Sequence, residues 1–504
     1  MNTFKKTARR LAPLMLSVGL AFAAPATGFA KDLLTVNLVN EPATLDPHQQ
    51  WNPDSYYVYR NIFDNMLTRD NAGEIEPQIA TSWEQISDTE VVFDLRDDVV
   101  FHDGEKLTAD DVVYTIERIT NPDFASPQLG QFNKIIKAEA LDDTKVKLTT
   151  DGPYPALLAQ LVKLSIVPQH VASTMSSEEF NAAPVGSGPY KFVKWDRGVE
   201  VVVEMNDAYW GKKGPFETVS FKGVPDASTR MANLQAGTAD LVVTLNADLA
   251  DQLEASGRGV VKNVNTERVA YFAMNSTKAP LDNIELRRAI GYAIDREGIV
   301  EGLLGGYPKV VDQMLSPAHF GWKEGLTGFT YDPEKAKEIV AGLGDSAKAE
   351  LELATSPVFD QRVVQAIQQM LTDVGLNASI EIVDMATWLK DQQTTNDQAP
   401  MLTFSRWSCA CQDPDGIMYP LLHSSSNWSR FSDPVMDEKL DAARSELDLE
   451  KRADLYAEIN MLALEKVAIL PLYQAAIIYG ASEQLEWQPT SNESMFLNRM
   501  AWSE

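Results

Sequence analysis

Helix and strand signals alternate along almost the whole chain after residue 30, with no repeat of solenoid length and no low-complexity linker to divide it. Residues 33–39 (Leu-Leu-Thr-Val-Asn-Leu-Val) read as a buried strand. Helical spacing of Tyr56, Tyr59, Ile62, Phe63, Met66 and Leu67 predicts a helix over 55–67. Strand 90–96 follows, and Thr108 reads as the N-cap of a helix with Asp110 and Asp111 in its first turn. Residues 145–149 read as a further strand. Residues 190–195 and 200–205 predict a hairpin across Asp196-Arg197-Gly198, and 216–223 another strand. A helix over 228–236 stops at Gly237. The second half repeats the pattern, with helices over 332–342, 359–374, 434–447 and 450–465, and strands over 351–355, 379–383 and 401–407. The class this implies is mixed α/β.

The N-terminus supplies an address. Lys5, Lys6, Arg9 and Arg10 precede a short apolar run over 14–24, and Gly28-Phe29-Ala30 offers small residues at −3 and −1. Residues 1–30 therefore read as a secretory signal peptide, with an apolar run too short to span a bilayer. No Cys precedes position 409, so a lipid-attachment cysteine is not expected, and a soluble protein of the periplasm is. The chain carries a net charge of −28, and without residues 1–30 it has 40 basic against 72 acidic residues, or −32. Such acidity argues against a nucleic-acid partner, which needs a basic surface. Cys409 and Cys411 are two apart, and in a strand their Cβ atoms are too distant to bond. Two buried free thiols are the expected state. A local disulfide, which needs a tight turn, and a metal or redox role are the alternatives.

Four stretches together resemble the family 5 extracellular solute-binding proteins, which include periplasmic oligopeptide-, dipeptide-, nickel- and glutathione-binding proteins. The first joins Ala80-Thr81-Ser82-Trp83, Val92-Phe93-Asp94-Leu95-Arg96, Val100-Phe101-His102-Asp103-Gly104 and Leu107-Thr108-Ala109-Asp110-Asp111-Val112. The second is Gly186-Ser187-Gly188-Pro189-Tyr190 with Asn206 and Tyr209-Trp210. The third runs from Arg287-Arg288-Ala289-Ile290 through Ala293-Ile294-Asp295-Arg296, and the fourth from Trp407 through Asp413-Pro414-Asp415-Gly416. The resemblance implies a two-lobed α/β periplasmic binding protein of type II, in its large family 5 form. Lobe one would take residues 31–275, with an extra subdomain at about 78–184, and recover 475–504 at the end. Lobe two would be 276–474. The chain would then cross twice, near Asn275 and near Tyr473, making a hinge on which the lobes close around a solute.

The same resemblance points to ligand contacts. Strand 401–407 would lie along the cleft and pair with an extended ligand. Peptide binders carry an Asp three residues after the Trp to meet the ligand's α-ammonium, and here Ala410 stands in its place. That substitution disfavours a plain peptide and favours an anionic or N-blocked amino-acid derivative. By strand parity Phe404, Arg406, Ser408 and Ala410 would share the ligand face, with Arg406 either holding an anionic group or forming a structural ion pair. Trp51, Asn52, Gln128, Trp388, Trp407, Cys409 and Asp413 complete the candidate set, although Asp413 also fits a role in shaping its loop. No catalytic residue, metal site or cofactor is expected: Gly186-Ser187-Gly188 lacks the spacing of a nucleophile elbow, and the five histidines are scattered. The function implied is the solute-binding part of an ABC importer, a monomer that delivers to membrane permease subunits. A secreted peptidase or esterase, and a chaperone or sensor on the same fold, are the alternatives.

Overall fold

The computed structural model describes residues 32–49 and 52–503, so the signal-peptide reading and Trp51 lie outside the described residues. Most predicted elements are present. Thr108 and Asp111 form a reciprocal capping box on helix Ala109–Thr120, Tyr190–Asp196 pairs antiparallel with Glu200–Met205, and helix Ala227–Gln235 ends just before Gly237.

Both lobes share one 11-stranded sheet. Its lobe-one half runs from the Tyr190–Asp196 edge to Leu33–Leu38 and Leu241–Leu245. Its lobe-two half holds Leu402–Trp407, Glu350–Thr355 and Asn377–Ile382. Leu33–Leu38 has parallel partners on both sides and buries five of its six residues, which is why it reads as an unbroken apolar run. A separate four-stranded antiparallel sheet, with Ala80–Ser87 and Ile135–Asp142 at its edges, packs Phe93 and Leu148 with Val112 and Ile116 of helix Ala109–Thr120.

Two long antiparallel strands, Val260–Met274 and Leu470–Ala481, join the halves. Val260 to Asn265 pairs with Ala476 to Ala481, which bonds onward to Leu241–Leu245 in lobe one. Val269 to Met274 pairs with Leu402–Trp407 in lobe two. Between Asn265 and Val269 the register shifts, leaving Thr266, Glu267 and Arg268 in a bulge. This register shift lies before Asn275 on the outgoing strand, and residues 269–274 beyond it pair with Leu402–Trp407. A bulge bends its strand locally, which suits a hinge.

The first helix also differs from expectation. It spans Pro53–Ile62, the chain turns extended at Phe63, and Leu67 opens the next strand. The cause is Asp64, fully buried, whose carboxylate accepts hydrogen bonds from Gln78 (2.8 Å), Ser187, Tyr209 and Trp210 (3.0 Å each). Met66 and Leu67 kept the apolar spacing because they enter the core of the four-stranded unit.

Candidate functional site

The bulge opens onto a cleft of about 650 Å³ walled by both lobes. Lobe one contributes Tyr56 and Tyr59 from the first helix, Gln128 and Lys163, together with Glu267 and Arg268 from the bulge. Lobe two contributes Trp407 and the Ser408–Ala410 loop with Trp428, and the C-terminal return adds Glu493. Aromatic rings stand on both sides: Tyr56 meets Tyr59 edge-on at 5.6 Å, and Trp407 meets Trp428 edge-on at 5.2 Å. Trp407 is fixed by its indole N–H, which donates to the Gly416 carbonyl at 2.8 Å.

The polar groups are buried and mostly engaged. Arg268 donates to both oxygens of Glu493, at 2.5 and 3.0 Å. Ser408 donates its hydroxyl to Glu267 Oε1, and Lys163 bonds the Gln131 amide oxygen. Burial, with the nearby Glu493 carboxylate adding to it, pushes the Glu267 carboxyl up to about 7, against the opposing pull of Arg268 and Ser408. Burial pulls the Lys163 ammonium down to about 7, with Glu267 acting the other way. Ionisation of both groups near neutrality is thus sensitive to any charge entering the cleft.

Of the expected contacts, Gln128, Trp407, Ser408 and Cys409 line this cleft, as does Ala410. Gln128 also donates to the Pro47 carbonyl at 2.6 Å. Asn52 caps the first helix, accepting from the Asp54 N–H at 2.8 Å, beside the cleft-lining Pro53. Three others are elsewhere. Arg406 shares a face with Ala270 and Tyr473 across the ladder, opposite to Trp407, and opens into a separate groove of about 240 Å³ behind the hinge strands. The expected parity fails because the strand ends at Trp407, so Ser408 and Ala410 no longer follow its alternation. Trp388 is 3% exposed in the lobe-two core, edge-on to Phe359 at 5.2 Å. Asp413 is 4% exposed and accepts two hydrogen bonds from Arg452, at 2.7 and 2.8 Å, so its carboxylate is used by the scaffold.

Cys409 and Cys411 form a disulfide, contrary to the free thiols expected. Gln412 takes a left-handed conformation (φ +55°) and its N–H donates to the Cys409 carbonyl at 2.7 Å, closing the tight turn that brings the two Cα atoms to 5.0 Å. Lys163, Glu267, Arg268, Glu493, Tyr56, Tyr59 and Trp428 were not foreseen. They come from distant stretches, and only the bulge and the C-terminal return bring the charged ones together.

The residues that carried the resemblance turn out to hold the framework. His102 donates through Nε2 to the Gly188 carbonyl at 3.0 Å, while Gly186 and Gly188 press against the backbone of Ile62. Arg287 donates to the Val467 and Lys466 carbonyls at 3.0 and 2.7 Å, which closes the C-terminus of helix Leu449–Lys466. Among the described residues no group of three or more His, Cys, Asp or Glu is placed to hold a metal, and no helix is long and apolar enough to cross a membrane.

A two-lobed α/β fold with a cleft at a two-strand hinge defines a solute-binding protein. The chain belongs to the bacterial extracellular solute-binding proteins, family 5, whose middle-region model matches residues 74–429. It is similar to heme-binding protein A of Haemophilus influenzae, 29% identical over 469 residues that cover 86% of this chain and 84% of that protein. It is also similar to the glutathione-binding protein GsiB of Salmonella paratyphi A, 27% identical over 503 residues and 95% of each chain. Among solved structures, the binding protein AgaA in complex with agropinic acid, from A.tumefacien R10, superposes with a TM-score of 0.80 at 26% identity, covering 94% of this chain and 99% of that one.

Proposed function

We propose that this protein is the periplasmic solute-binding component of an ABC importer. It captures a small peptide-like or anionic amino-acid-derived solute by hinge closure and delivers it, as a monomer, to membrane permease subunits. The observation that carries the reading is the cleft itself: aromatic rings from both lobes and a set of buried charges of both signs converge on the bulge where the lobes join. A solute between them contacts both walls only when they approach, so binding shifts the population toward the closed form. Relatives named for glutathione and a structural neighbour holding agropinic acid support a small, charged, amino-acid-derived solute. The signal-peptide pattern of residues 1–30 supports export.

The test is mass spectrometry of solute released from the purified protein by mild denaturation, followed by calorimetric titration of the compound found. A solute that binds at micromolar affinity or better and returns unaltered supports the reading. Chemical turnover of that solute contradicts it and favours the secreted hydrolase.

A further inference from the structure

One acceptor in the cleft has no donor. Glu267 is 1% exposed, its Oε1 takes the Ser408 hydroxyl, and its Oε2 is buried without a hydrogen-bond partner. Buried polar atoms are nearly always satisfied, and a carboxylate oxygen is among the costliest to leave bare. The bulge holds Glu267 in this position: its N–H donates to the Ser491 carbonyl at 3.0 Å, and the preceding Thr266 carbonyl accepts from the Gln474 amide at 2.8 Å. Side-chain escape is therefore limited.

None of the surrounding charges hydrogen-bonds the orphan oxygen, although the Lys163 ammonium lies within electrostatic reach of the Glu267 carboxylate. Arg268, next in the bulge, spends its guanidinium on both oxygens of Glu493 from the C-terminal return. Lys163 bonds the Gln131 amide, and the loop carrying Ser408 presents only a methyl at Ala410. The Tyr479 phenol also lies within electrostatic reach of Glu267. What fits Glu267 is a compact cationic donor brought in from solvent.

We propose that Glu267 is the docking carboxylate for a protonated amine on the solute. The solute is then an amino acid, short peptide or conjugate with a free ammonium group. This reverses the preference for N-blocked compounds that Ala410 alone suggested, and it rests on the solute-capture reading above. An ammonium beside Glu267 favours the ionised carboxylate, so binding below about pH 7 must displace a proton, and affinity rises with pH up to that value.

The experiment is calorimetric titration of the full exported chain, at pH 5.5, 6.5 and 7.5, with reduced glutathione, Ala-Ala and Ala-Ala-Ala, each beside its N-acetyl counterpart. The free amines are expected to bind, and acetylation to weaken them by more than about tenfold, the lower end for a hydrogen bond to a charged group. Glu267→Gln is expected to cost a similar factor and to flatten the pH dependence, an effect that loss of packing alone does not produce. Equal affinity of the free and acetylated partners overturns the inference, and that arm stands even if the variant fails to fold. Failure of every free amine to bind wild-type protein also overturns it. Only the further finding that no co-purified solute exists removes solute capture itself.

Discussion

Asp413→Asn separates a scaffold role from a ligand role at one residue. Arg452 is 1% exposed and donates to both Asp413 oxygens, and a third hydrogen bond runs from its Nε to the Ala443 carbonyl at 3.1 Å. Neutralising the aspartate leaves a guanidinium inside the lobe-two core without its counter-charge. Breaking a buried pair from one side costs about 3–5 kcal/mol, and the amide oxygen that Asn retains places the expectation near 3 kcal/mol. At roughly 2–4 °C per kcal/mol for a unit of lobe size, Tm falls by about 6–12 °C. Thermal melts by circular dichroism read the stability, and titration of the co-purified solute well below the melt reads the affinity, expected to stay within about twofold because the carboxylate lies outside the cleft. An unchanged Tm with affinity lost more than tenfold would refute the argument and return Asp413 to the ligand.

Arg406→Ala is expected to leave solute affinity within about twofold, since the guanidinium faces the groove behind the hinge; a tenfold loss by calorimetry would place it in the cleft. Gly186→Ala puts a Cβ at 2.8 Å from the Ile62 carbonyl carbon and 2.9 Å from Phe63 Cδ1, so it is expected to destabilise by about 1–3 kcal/mol in urea unfolding, and a neutral result would contradict that close approach. Glu267 pairs a folded value of about 7 with an ordinary one of 4.5, so the folded state holds its proton more tightly and stability is lost as pH rises through that window. Solute-free Glu267→Gln should therefore be more stable than wild type at pH 8, by up to ~3 kcal/mol, with the gap closing toward pH 4. Melts showing the variant weaker at pH 8 would rule this out.

Local elements were legible because their signals are local. The Thr108 cap, the hairpin across Gly198 and the stop at Gly237 each sit within a few residues of their cause. The four motif stretches identified the family, yet residues such as His102, Gly186, Arg287 and Asp413 encode how the framework locks together. The chemistry of the cleft depends on Lys163, Glu267, Ser408 and Glu493, which no short spacing relates and which only folding brings together. Glu267 was hidden in a particular way, because a bulge leaves no mark in an otherwise continuous strand pattern. The disulfide ranked behind free thiols because its turn relies on a left-handed Gln412, where a glycine would have signalled the bend. Arg406 was misplaced by carrying strand alternation one residue beyond Trp407.

Small-angle X-ray scattering of the exported protein, stripped of solute and then saturated with the compound that co-purifies, addresses hinge closure directly. The crossing strands bent at 266–268 predict a smaller radius of gyration and a narrower distance distribution when the solute is bound. Superimposable curves at a saturation verified by calorimetry would contradict closure around the cleft.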